Sequence, residues 1–321
     1  MRMENGRDGT ATVSRPEQEH ESEPLRRADV YPGPVVDGGE RPDGAWIRLL
    51  DLGRGLLTSR AERDEAELEG RLRAAGSVTR CNTIAVLSPK GGVGKTTCTF
   101  MLGNTLASHL NLRCLAIDAD PDFGTLGSLA REDAGSERSI ADLVQELDGV
   151  TSAAELRRYV SAFPSGLHVL AAPSRAELMA AISPEHYGAL TAFLGRFYDV
   201  LLLDLGTGVA GPLAGFAIER ADQSMVITTP DWVTASTVLR ALEQVGIEER
   251  LTLVLNQAPR EGTGALEAEL RRRGLERRVT IPYNGRLAGM LDSGTYSLSG
   301  LERGTRVPVK RLGLLAAELL V

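Results

Sequence analysis

The chain is poor in the residues on which cross-linked or metal-built folds depend. Three cysteines and four histidines occur in 321 residues. None forms a CxxC pair, so neither a disulfide framework nor a zinc site is expected. Aromatic residues make up only 4% of the chain, which leaves any core to be built from Val, Leu, Ile and Ala. No run approaches the roughly 18 uninterrupted apolar residues of a membrane span, and the polar start lacks the apolar centre of a signal peptide. A soluble, cytoplasmic chain is the expectation. Positive charge is also in deficit: 36 Lys and Arg stand against 43 Asp and Glu, a net charge of -7. That balance offers no long-range attraction to a polyanion, so DNA binding is not favoured and would need a local basic patch.

What the chain does have is glycine, 35 residues, and a hydrophobic fraction of 42%. This suffices for one large α/β core with an appendage or for two modest domains. Residues 1–43 are rich in Glu, Arg, Gly and Pro and read as a disordered polar tail, because so few apolar groups cannot offset the entropy of ordering. Residues 44–80 read as an N-terminal arm with short helices. The arm holds a patch around Trp46, Ile47, Leu49 and Leu50, expected to pack on the main domain or on a partner. A charged helical stretch over 59–74 follows, its apolar positions too sparse for a buried core. Residues 81–321 read as the main domain.

There the pattern becomes regular strand–helix alternation. Strands are expected over 83–88, 113–118, 167–171, 199–204, 223–228, 251–257 and 278–282. Helices are expected near 95–110, 139–147, 153–162, 184–197, 210–220, 233–245, 265–273 and 308–320. Apolar strands separated by helices of crossover length imply an α/β fold, a mostly parallel sheet with helices on both faces. Ligands in such sheets bind beyond the C-terminal ends of the strands.

The strongest motif is SPKGGVGKTTCTF over 88–100. A β-rich run ends at Ser88, Gly91, Gly92 and Gly94 flank Val93, and an apolar helix begins at Lys95. Glycines let the backbone curl so that consecutive N–H groups face phosphate oxygens, and the helix N-terminus adds its positive end. Lys95 would reach the β- and γ-phosphates, the Thr96 hydroxyl would bind Mg²⁺, and Thr97 would donate to the α-phosphate. Proline stands at position 89, where the standard loop has glycine, and Lys90 follows it. A second ammonium there could neutralise charge on the transferring phosphoryl group, within its own subunit or across an interface. Two apolar runs, one ending at Asp118 and Asp120 and one at Asp204, deliver carboxylates to the same edge. Asp204 is suited to hold a Mg²⁺-bound water. Gly206, Gly208 and Gly211 after it are what a mobile γ-phosphate sensor uses, although ordinary turn glycines look the same.

These residues resemble the MinD/ParA family of deviant Walker-A ATPases over residues 82–321, with SPKGGVGKTT matching the KGGxGKT[ST] loop in full. The resemblance implies ATP/ADP and Mg²⁺ as ligands, a homodimer in the ATP state, slow hydrolysis and an activating or cargo protein. It implies that Lys90 crosses to the opposite subunit's phosphates, that Asp118 is an outer-sphere Mg²⁺ carboxylate, that Asp120 orients the attacking water and that Asp204 is the Walker-B acid. Asn256 of LVLNQ resembles the residue that reads the adenine edge, and Pro282 of IPYN the residue that packs on the base. For Asn256, a buried strand-end Asn held by a backbone contact is the alternative. Pro230 and Asp231 resemble a turn with a nucleotide- or dimer-facing acid.

The second switch departs from the family: Asp204-Leu205-Gly206-Thr207-Gly208 lacks the usual proline. With FYDVLLLD and the DGAWIRLL…GRGLL preface, it resembles a divergent actinobacterial branch associated with type VII secretion loci. The cysteines do not lie where cluster-ligating relatives carry theirs, which excludes redox function. Two basic clusters, Arg271–Arg278 and Arg303–Arg311, are candidate DNA contacts. The last helix, with Val309, Leu312, Leu315, Ala316 and Leu319 along one face, is expected to cover the sheet, and direct membrane binding is not expected.

Overall fold

The computed structural model describes residues 59–75, 78–120, 124–129, 135–207, 212–245, 250–259 and 262–320. The expected tail over 1–43, the Trp/Leu patch of the arm, and Gly208 and Gly211 lie outside the described residues. The strands are β1 Asn82–Ser88, β2 Cys114–Ala119, β3 Ser161–Ala162, β4 His168–Leu170, β5 Val200–Thr207, β6 Gln223–Thr228, β7 Leu251–Ala258 and β8 Arg278–Pro282. The helices of more than one turn's length are α1 Arg60–Ala74, α2 Lys95–Leu110, α3 Ile140–Gln145, α4 Ala153–Leu156, α5 Ala176–Ala180, α6 Pro184–Leu194, α7 Pro212–Arg220, α8 Trp232–Val245, α9 Gly264–Arg272, α10 Gly285–Asp292 and α11 Arg303–Ala317.

The strands form one sheet in the order β3-β4-β2-β5-β1-β6-β7-β8. Every pairing is parallel except that of β3 with β4. Side chains alternate between the two faces of a strand, and the buried residues divide accordingly. Ala85, Leu87, Leu115, Ile117, Leu201 and Leu203 join one core with Tyr187 and Leu190 of α6 and Val238 of α8. Ile84, Val86, Cys114, Ala116 and Leu202 join the other with Met101 of α2, Val309 and Leu312 of α11, and Leu72 of α1. This two-sided burial is why the strands read as continuous apolar runs.

Five elements differ from the sequence expectation. The helix expected over 153–162 stops at Leu156, because the chain turns to form β3, whose Ser161 and Ala162 pair with Val169 and His168 on the sheet edge. Helices α5 and α10 were not expected, being too short for a helical period to register. In α10 the Asn284 side chain supplies the start by accepting N–H bonds from Arg286 and Leu287. Helix α11 begins at Arg303, not Pro308, and continues through that proline.

Helix α1 opens with a capping box: the Ser59 hydroxyl accepts from Glu62 N–H, and the Glu62 carboxylate accepts from Ser59 N–H. Its apolar positions are indeed few, yet Leu72 is fully buried in the α2/α11 core. Charge does the rest of the docking. Glu65 meets Arg306 and Lys310 at 2.7 Å and Arg303 at 3.3 Å, and Glu69 also pairs with Lys310. The hydrogen bond from Arg306, with Lys310 assisting against the effect of burial, brings the Glu65 carboxyl down to about 2.

Candidate functional site: a phosphate loop with two buried carboxylates

The loop leaves β1 and enters α2 through two left-handed glycines, Gly92 at φ 75° and Gly94 at φ 90°. Side chains rarely adopt that conformation, which is why glycine is required there. Gly94 is required twice over, since a Cβ on it would lie 2.3 Å from the Asn256 amide nitrogen. Gly91 approaches the end of β5, where its Cβ would meet the Thr207 methyl at 3.2 Å. Val93 and Lys95 are buried, Thr96 and Thr97 half-buried, and Lys90 exposed. The residues expected to embrace phosphate thus form one turn at an α-helix N-terminus, with the expected second lysine on its open side.

Strand parity places the acids. Asp118 and Asp204 are partners in the β2–β5 register. Each lies one residue beyond a side chain of the opposite core, so both face α2, the helix that carries the loop. Asp204 is 1% exposed and accepts a bond from the Thr99 hydroxyl at 3.2 Å. Its other carboxylate oxygen has no protein partner among the described residues. Burial pushes its pKa up to about 7, with the Asp118 charge adding to the rise and Thr96 and Lys95 opposing it. Asp118 is fully buried and accepts N–H bonds from Leu126 at 2.9 Å and from Asp120 at 3.4 Å. Burial raises it to about 6 despite those bonds. The half-buried Asp120 follows β2 directly.

Two buried carboxylates in register repel one another and lose hydration, an arrangement that a cation relieves. The donor set fits Mg²⁺: hard oxygen ligands, an unpartnered carboxylate oxygen on Asp204, and a hydroxyl at Thr96 beside it. Thr99 and Gly124 were not singled out from the sequence. Thr99 lies four residues after Lys95, hence on the same helix face, and that spacing was the available signal. Gly124 packs so closely that a Cβ would lie 2.1 Å from an Asp118 oxygen. No sequence pattern announces that contact.

On the far side of the loop, Asn256 of β7 is 6% exposed and donates its amide N–H to the Val93 carbonyl at 2.8 Å. Pro282 ends β8, half-buried. Asp231 caps α8, accepting from Thr234 N–H at 2.9 Å and from the Thr229 hydroxyl. Trp232, Val233 and Tyr283, which follow β6 and β8 on this same strand edge, are 62%, 72% and 66% exposed.

Most residues of the basic clusters are engaged within the chain. Arg303, Arg306 and Lys310 meet Glu65 and Glu69. Arg272 and Arg273 pair with Glu269, Arg277 with Glu318, and Arg278 with Glu276. Cys98 and Cys114 are buried, and desolvation raises both thiols. Among the described residues no helix is long and apolar enough to cross a membrane. A cavity of about 470 Å³ opens at the opposite edge of the sheet, by the end of α2, with Arg157, His168 and Tyr198 in its wall.

The CobQ/CobB/MinD/ParA nucleotide binding domain matches residues 84–295. The chain is 33% identical over 187 residues to the ESX-1 secretion-associated protein EspI of Mycobacterium tuberculosis, covering 57% of this chain and 27% of EspI. It is 30% identical to the antiactivator FleN of Pseudomonas aeruginosa, over 53% of this chain and 58% of FleN. To the septum site-determining protein MinD of Thermotoga maritima it is 31% identical, over 55% of this chain and 64% of MinD. The chain therefore spans about a quarter of EspI and less than two thirds of the other two.

Among solved structures, a ParA family ATPase from Chlorobium tepidum matches with a TM-score of 0.60 at 21% identity, over 71% of this chain and 97% of that one. MinD from Pyrococcus horikoshii, complexed with Mg-ADP, matches with a TM-score of 0.58 at 20% identity, over 72% of this chain and 94% of that one. At these identities the likeness establishes the fold.

Proposed function

Because the chain belongs to the CobQ/CobB/MinD/ParA nucleotide-binding family, we propose that it is an ATPase switch, which binds ATP with Mg²⁺ on the loop at Gly91–Thr97 and closes as a homodimer. The observation that carries this reading is the pair Asp118 and Asp204, buried in register on the face of the loop helix, with an oxygen of Asp204 unpartnered. Lys95 and the loop N–H groups hold the phosphates, and Thr96, Asp118 and Asp204 hold the metal site. Bound there, Mg²⁺ would neutralise charge on the β- and γ-phosphates. Asp120 aligns the attacking water, and Asn256 and Pro282 border the base.

Lys90 completes the site from the opposite subunit. Its exposure on the open side of the loop supports that role, as do the exposed Trp232, Val233 and Tyr283 on the same edge. Hydrolysis is slow and set by a partner, and ATP closure and opening position or assemble a cargo. The likeness to EspI, a secretion-associated protein, favours a secretion apparatus over chromosome partitioning as the setting. The chain works in the cytoplasm, brought to its complex by protein contacts and not by lipid. DNA binding is disfavoured because most residues of the basic clusters pair with neighbouring carboxylates. A second reading, a nucleotide-dependent scaffold with little turnover, is favoured by the second switch, which carries Gly206-Thr207-Gly208 in place of a proline-containing sequence.

Light scattering and phosphate release test the proposal together. Asp120→Ala with ATP is expected to be dimeric, and the same protein with ADP monomeric. Lys90→Ala stays monomeric in either nucleotide, and Lys95→Ala binds neither. An ATP-driven dimer that persists in Lys90→Ala sinks the role of that lysine across the interface. ATP-driven dimers of the wild type without measurable phosphate release would select the scaffold.

A further inference from the structure

Gln257 is one of two non-glycine residues at positive φ among the described residues, at 55°. The other, Asn111 at 54°, ends helix α2, where a left-handed residue is ordinary. Gln257 has no such excuse: it lies within β7, next to the buried Asn256. Neighbouring side chains in a regular strand point to opposite faces, so Asn256 and Gln257 ought not to reach the same object. Yet both bond to the phosphate loop. Asn256 donates to the Val93 carbonyl at 2.8 Å, and Gln257 donates its side-chain amide to the adjoining Gly92 carbonyl at 3.2 Å. The left-handed turn at 257, with the register slip between Leu255 and Ala258 against β8, accompanies this double contact.

The consequence follows from the planar, trans peptide bond, in which the C=O of one residue and the N–H of the next point in opposite directions. A donor that holds the Gly92 carbonyl on the β7 side aims the Val93 N–H away from it. A donor on the Val93 carbonyl does the same for Gly94 N–H. An anion loop needs its N–H groups converging and its carbonyls turned out. We propose that Gln257, with Asn256, clamps the Gly92 and Val93 carbonyls and so pre-organises the loop's N–H groups for phosphate, making Gln257 a positioning residue for nucleotide binding. This rests on the nucleotide reading above.

The two things Gln257 does, straining the backbone and holding the loop, separate on substitution. Gln257→Gly removes the strain and the amide together; Gln257→Glu keeps the side chain's shape and replaces the donor by an acceptor. Calorimetric titration of the full chain with ADP and with ATP, each with Mg²⁺, is paired with thermal unfolding of the ligand-free proteins. Gln257→Gly is expected to melt at the wild-type temperature or a few degrees above it, since a strained position is relieved. It should nevertheless bind both nucleotides roughly three- to tenfold more weakly, the worth of one hydrogen bond. Gln257→Glu should lose at least as much. Wild-type nucleotide affinity in both variants overturns the clamp and leaves Gln257 a strained turn only. If instead the wild-type chain binds neither nucleotide, and Lys95→Ala changes nothing, the nucleotide reading has failed and the clamp falls with it.

Discussion

Two groups of charge lie beside helix α2, one buried and one half-buried, and they are built on opposite principles. Under the C-terminal ends of β2 and β5, Asp118 and Asp204 are like charges in register, both raised in pKa by burial. Between α1 and α11, Glu65 and Glu69 are set against Arg303, Arg306 and Lys310, and both carboxyls are lowered by the hydrogen bonds they receive. The first group costs folding stability, and one of its oxygens has no protein partner among the described residues. The second is closed on itself. A site that must receive something from outside keeps unsatisfied chemistry, while a site that holds two helices together satisfies it.

The comparison yields a graded series. Leu72→Ala, which removes the one fully buried side chain of α1, is expected to destabilise the domain by about 3 kcal/mol, read by urea unfolding. A value near zero would mean that α1 is a passenger and that the charge cluster is ornament on a surface. Asp204→Asn comes next and should move two quantities in opposite directions. Mg²⁺-dependent ATP affinity falls by about 10- to 100-fold, while relief of the buried charge raises the ligand-free melting temperature by about 2–4 °C. A variant that loses both would place Asp204 among the stabilising charges and dissolve the contrast.

Glu65→Gln is the counterpart on the other side: a loss of about 1–2 kcal/mol with nucleotide affinity unchanged. Its pH dependence has a definite sign. The Glu65 carboxyl is lowered from 4.5 to about 2 in the folded chain, so its stabilisation is complete above pH 4.5 and is lost as pH falls towards 2. Circular dichroism across that window should show the wild type's advantage over Glu65→Gln shrinking to nothing; an advantage that persists at the acid end contradicts the ion-pair account. The smallest effect is expected at Arg311, exposed on α11 outside the cluster. Arg311→Ala should change stability by less than about 0.5 kcal/mol and leave DNA retention on filters at low salt unchanged from the parent.

The phosphate loop and the sheet were open to sequence reasoning because both rest on local rules. Gly92 and Gly94 are required by backbone conformation, and seven of the strands fall where apolar runs of strand length predict them. The edge strand β3 was not, because two residues, Ser161 and Ala162, carry no period and are extended only by pairing with β4. The arm illustrates the same limit. Its composition correctly suggests a charged helix, but the carboxylates that dock it find their partners some 240 positions away. No local pattern specifies such a contact.

Sequence alone therefore determined the glycine loop, the acids at the strand ends and the layered α/β class, because helix, strand and glycine preferences are properties of a few consecutive residues. The tertiary structure alone decided that Asp118 and Asp204 share the face of α2, that Thr99 reaches Asp204, that Gly124 must be bare beside Asp118, and that Arg303, Arg306 and Lys310 of α11 meet Glu65 and Glu69 of α1. Each of these is a contact between residues that no helix or strand period relates, and it cannot be read until the elements have been placed side by side.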